Sequence, residues 1–181
     1  DAVQKKRVTD SVYKHAEIYA KLKHPGLADN LRPFVLDRAL EPNTRRLALL
    51  VAERCGLADL RSELLRIALD ATDHPQVRSG AIAALRSCCD ADVVRQILPF
   101  ADGTAKSLDS NDEIKGTALQ LLWPDHITAA QLFPSLTPTL DNFFGAYAHF
   151  LMVLPETLKE EDLLPALQWA TGAVTRGDRS G

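Results

Sequence analysis

The residues able to do chemistry are few in this chain, and each has a competing structural use. A phosphate cradle needs glycines so that backbone N–H groups can wrap the anion, then Lys and Ser or Thr. Gly103-Thr104-Ala105-Lys106-Ser107 has the Lys-Ser pair but lacks the adjacent glycine and the flanking strand. Chance explains it better than nucleotide binding. The five histidines (His15, His24, His74, His126 and His149) contain no pair at the i, i+4 spacing that lets one helix face hold zinc. No GxSxG elbow presents a serine nucleophile. Glu160, Glu161 and Asp162 could pass for paired acid–base carboxylates, but their place at a helix start favours a dipole role. Arg176-Gly177-Asp178 reads as a coincidental tripeptide in a tail. The expectation is therefore no catalytic residue, no metal, no cofactor and no enzyme.

Three cysteines, Cys55, Cys88 and Cys89, lie near expected helix C-termini. The count is odd, and adjacent cysteines bridge only with strain. Reduced, partly buried thiols in a cytoplasmic protein are the reading. The net charge is −3, with 25% charged residues, which argues against nucleic acid as the partner. Two local basic sets remain: Lys5, Lys6, Arg7 and Lys14, and Arg45, Arg46, Arg54, Arg61 and Arg66. Solvated helix faces are their ordinary use. Trp123 and Trp169 sit near helix ends, where a large aromatic either anchors a partner or caps a core.

The elements that position these residues read as helices throughout. Aromatics are 6% of the 181 residues, and Leu and Ala dominate the apolar set. In HPQVRSGAIAALRSCC (74–89), a proline opens the helix and Asp73 stands where it can cap the turn. Val77, Ala81, Ile82, Leu85 and Cys88 share one face, and small residues let another helix approach. The shape returns at NTRRLALLVAERC and NDEIKGTALQLLW. Aligning Arg45, Arg78 and Lys115 brings Ala48, Ala81 and Ala118 into register, then Leu49, Ile82 and Leu119. The spacing is 33 residues and then 37, the sign of a helical array.

Around these copies, helices are expected over 3–22, with Val8, Val12, Tyr13, Ile18, Tyr19 and Leu22 inward, and over 27–40, with Leu27, Leu31, Val35 and Ala39 inward. Further helices are expected over 44–55, over 59–71 with Leu60, Leu64, Leu65, Ile67 and Ala68 as the apolar set, and over 113–123, the last stopped by Pro124. Thr128 caps a short one, 143–154 is strongly apolar and expected to be the most buried, and 160–171 is the last. The polar stretch 102–112 reads as the most mobile connection. The fold class is all-α: about ten helices paired antiparallel into an α-solenoid. One domain spans 1–175, with 176–181 as a disordered tail. The start lacks Met and is polar, so the chain reads as a piece of a longer protein; no membrane span is present.

Asp73, Pro75, Val77 and Arg78, followed by small residues and Leu, resemble the second helix of a HEAT repeat. The resemblance implies that a loop Asp and a helix Arg form ladders between neighbouring repeats. It continues at Asp112, Ile114 and Lys115, and fades beyond about residue 125. A second likeness covers NDEIKGTALQLLWPDHITAAQLF, GAYAHFL and EDLLPALQWA, which look like the C-terminal helical region of bacterial NACHT-type STAND ATPases. That region follows a nucleotide switch and is thought to sense a ligand or partner. The implied function is non-catalytic: binding a protein partner or another domain of the same chain. The alternative is a HEAT-like nucleic-acid or DNA-glycosylase-type module. Matching the copies puts Arg46 and Glu53, Ser79 and Arg86, and Gly116, Gln120 and Trp123 on one outward stripe, the expected binding residues.

Overall fold

The computed structural model describes residues 16–105, 109, 112–138 and 145–177. Ten α-helices and no strand occur among them. The chain divides into two compact units, the first ending at Ile97 and the second beginning at Leu98.

In the first unit, α1 (Ala16–Ala20) and α2 (Leu27–Leu36) both pack on α3 (Pro42–Cys55). A 3-10 turn at Ala58–Leu60 leads into α4 (Arg61–Leu69), which packs on α5 (Pro75–Ala84). The tightest packing in the unit joins α3 to α5. Small residues allow it: Ala48, Ala81 and Ala84 are buried, and a Cβ at Gly80 would already touch Leu49 Cδ1 at 3.3 Å. Val77, Ile82 and Leu85 complete the α5 face, as the periodicity requires. α3 opens on Pro42 and stops at Gly56, whose left-handed φ of 59° lets its N–H cap the helix on Ala52 and Glu53 carbonyls.

Several boundaries differ from expectation for local reasons. α2 ends at Leu36 because the Asp37 side chain accepts the Ala39 N–H and turns the chain; Ala39 is exposed. Pro33 lies within α2. α5 tightens to a 3-10 turn at Leu85–Cys88 before the cysteines. Its cap is His74, whose Nδ1 accepts the Gln76 N–H at 3.2 Å. Asp73 is occupied elsewhere, as described below. Ile18 and Leu22 are exposed, whereas Val8, Val12 and Tyr13 lie outside the described residues.

α6 (Ala91–Ala101) is capped by Asp90, whose carboxylate accepts the Asp92 and Val93 N–H groups at 3.1 and 2.9 Å. In the second unit, α7 (Glu113–Leu122) packs on α9 (Ala146–Thr157), and α8 (Ala129–Ser135) on α10 (Leu163–Gly177). Pro124 follows α7 through a cis peptide bond. The Gln131 side chain caps α8 by accepting the Thr128 N–H at 2.9 Å. The most buried helix is α7, not the more apolar α9. Eight of its ten residues are buried, while Met152 of α9 is 67% exposed. Hydropathy alone misranked them because α7 buries its Lys and Thr with their partners. A 3-10 turn at Glu160–Asp162 precedes α10, which continues to Gly177, into the expected tail. Residues 106–108, 110, 111 and 178–181 fall outside the described set.

Candidate functional site

The three aligned basic residues are all buried, although each belongs to the commonly exposed types. Arg45 on α3 donates from Nη1 and Nη2 to both carboxylate oxygens of Asp73, at 2.6 and 2.7 Å, and from Nε to the Val35 carbonyl at 3.2 Å. One guanidinium thus ties α3 to the end of α2 and to the loop before α5. Asp73 also accepts the His74 N–H at 2.7 Å. Burial pushes the Asp73 carboxyl upward, but the Arg45 fork and the His74 N–H prevail and hold it below the usual range. Arg78 repeats the first part of the pattern: its Nε donates to the Ala68 carbonyl, ten residues earlier, at 3.1 Å.

Weaker pairs in the same unit also reach about one period forward. Arg32 meets Glu63 at 2.6 Å, Arg38 meets Asp70 at 3.2 Å, and Arg61 meets Asp90 and Asp92 at 2.9 and 3.1 Å. In each, the cation lies in the earlier segment and the carboxylate 29 to 32 residues on. Most of the suspected basic patch of Arg45, Arg46, Arg54, Arg61 and Arg66 is therefore engaged. Arg45 and Arg61 are in ion pairs and Arg46 donates to Gln76 at 3.3 Å. Arg54 and Arg66 are exposed. The Lys5, Lys6, Arg7 and Lys14 set lies outside the described residues.

The expected stripe divides. On α3 and α5, Arg46, Glu53 and Ser79 are half-buried, and Arg86 is exposed on the 3-10 turn. In the third copy Gln120 is half-buried like Arg46, Glu53 and Ser79, whereas Trp123 is buried. Trp123 is 8% exposed, and its indole N–H donates to the Thr157 hydroxyl at 2.8 Å. Gln120 donates to the Ala146 carbonyl at 2.9 Å. A Cβ at Gly116 would stand 2.0 Å from the Tyr147 nitrogen. These three residues line the seam between α7 and α9. The alignment placed them in helical phase without knowing that a later helix covers that phase.

Lys115 completes the seam. Its Nζ donates to the Thr137 hydroxyl at 2.9 Å and lies 4.7 Å from the Tyr147 ring centroid. Burial lowers its pKa, and Asp112 and Asp109 offset this only in part. The Tyr147 hydroxyl donates to the Thr137 carbonyl at 2.7 Å. The sequence signal for this site was Lys at an otherwise Arg position; nothing in the spacing pointed to Thr137.

Among the described residues, no group of three His, Cys, Asp or Glu could hold a metal ion, and no helix is long and apolar enough to cross a membrane. Burial raises the pKa of all three cysteines, which disfavours reactive thiolates. No family model, curated protein or solved structure matches this chain.

Proposed function

We propose that this chain is a HEAT-like α-solenoid segment of antiparallel helix pairs, non-catalytic and cytoplasmic, that binds a protein partner or another domain of its parent chain. The observation that carries the reading is the Arg45–Asp73 fork. It joins a helix of one copy to the loop before the same helix of the next, the ladder that the HEAT resemblance implies. The surface is the α3–α5 stripe of Arg46, Glu53, Ser79 and Arg86. Arg54 is also exposed on α3, so cations outnumber the single Glu53, and an acidic partner segment suits the stripe best. If the likeness to NACHT-type STAND ATPases holds, the stripe is a sensing surface that follows a nucleotide switch.

A partner screen with the full-length protein tests this, comparing Arg46→Glu with Arg86→Glu after circular dichroism confirms the fold. Both substitutions should weaken a detected interaction at least tenfold. An interaction unaffected by either ends the stripe reading. Gel shifts on duplex and single-stranded DNA at low salt test the glycosylase-type alternative. Specific binding that falls steeply with salt would replace the protein-partner reading.

A further inference from the structure

Two surfaces that the proposed function leaves unused carry apolar side chains in solvent. On α10, Trp169 turns inward to Phe133 of α8, with ring centroids 5.9 Å apart. The other side presents Leu163, Leu164 and Leu167 at 48%, 64% and 64% exposure. Glu160 and Glu161 are exposed at its start, preceded in the chain by exposed Lys159. On the first unit, the Cys55 thiol donates to the Tyr19 carbonyl at 3.1 Å and holds α1 to α3. Ile18 and Leu22, four residues apart, remain exposed at 52% and 48%, beside exposed Lys21 and Lys23. One face is leucine with acid at its rim; the other is aliphatic with lysine at its rim.

The same opposition holds for the two parts of the chain. Up to Ile97 it carries 16 Lys and Arg against 13 Asp and Glu; from Leu98 onward it carries 5 against 11. The opposite net charges favour contact between the first unit of one copy and the second unit of another over contact between like units. Exposed aliphatic clusters rimmed by charge mark interaction sites.

We propose that a second copy of this chain docks head to tail, the α10 face of one copy on the Ile18–Leu22 face of the next. Leu163, Leu164 and Leu167 cover Ile18 and Leu22, while Glu160 and Glu161 meet Lys21 and Lys23. The contact is heterologous, because different surfaces meet, so it can extend beyond two copies unless it closes on itself.

Light scattering across a concentration series reads the outcome. The parent chain should rise from the mass of one copy towards two or more and fall back as salt is raised. Leu164→Ser with Leu167→Ser should stay at one copy while its circular dichroism remains helical. Glu160→Lys with Glu161→Lys should also stay at one copy, as should Lys21→Glu with Lys23→Glu. Mixing these last two charge variants is the decisive arm. In the mixture the unaltered faces match each other and so do the two reversed faces, so the mixture should regain the association that neither variant shows alone. A parent that stays at one copy at every concentration overturns the proposal. So does a Lys21→Glu, Lys23→Glu chain that associates as well as the parent, because α10 would then be pairing with α10.

Discussion

Arg45 and Asp73 exchange water for each other inside the first unit, and that exchange has an asymmetric cost. Arg45→Met leaves a buried carboxylate with the His74 N–H as its remaining described donor. It should lower stability by about 3–5 kcal/mol, read from the urea midpoint. Arg45→Met with Asp73→Leu removes both charges and should recover most of the loss. Lys115 is the reverse case, a buried cation whose described partners are a hydroxyl and a ring. Its folded pKa lies below the ordinary lysine value of about 10.4, so the unfolded chain holds more protons between those two values. Stability therefore rises with pH across that alkaline window. Lys115→Met should flatten the rise without destabilising the protein near neutral pH. A Lys115→Met chain with an unchanged alkaline profile would show that this lysine is not the titrating group.

Helices were legible in the sequence wherever one face carried the burial. Leu60, Leu64, Leu65, Ile67 and Ala68 are all buried at the expected phase, and so are Ala48, Ala81 and Ala118. What could not be read was which helix covers which. Composition marked α9 as the deepest element, but the deepest is α7, whose Gly116 admits the α9 backbone. The surroundings of the expected stripe were legible only in part for the same reason. Arg46 and Ser79 follow from the phase of α3 and α5, whereas the covering of Gln120 and Trp123 depends on contacts 26 and 34 residues away. Two glycines test this packing. Gly116→Ala must displace the backbone of Tyr147 and should destabilise by about 3 kcal/mol or more. Gly80→Ala meets only a movable Leu49 side chain and gains up to about 1 kcal/mol of helix propensity, so its denaturation midpoint should stay close to the parent's.

Among the described residues, Glu63, Asp70, Asp73, Asp90 and Asp92 are the carboxylates held below their ordinary values, and they precede Ile97. Each contributes stability that is complete above its unfolded value and disappears as pH falls through its folded one. Acid should therefore loosen the first unit before the second. Amide hydrogen exchange stepped down from pH 6 towards pH 3 checks this, after correction for the intrinsic pH dependence of exchange. Protection in α3 and α5 should fall while α7 and α9 remain protected. Loss in α7 and α9 first would show that the ladder does not govern the acid response.

Arg45 and Arg78 also bear on where the chain can change length. Each reaches back ten residues to a carbonyl at the end of the preceding helix, across a connection of five residues: 37–41 and 70–74. An inserted residue there would pull the carbonyl out of register with the guanidinium, so these two joints should resist insertion. At the third aligned position, Lys115 sends its ammonium to Thr137 instead, and the connection from α6 to α7 spans 102–112. The repeat lengthens from 33 to 37 residues over the same interval. Growth and shrinkage among variant chains should therefore collect between Ala101 and Glu113, where, among the described residues, no guanidinium reaches back to a carbonyl of the preceding helix.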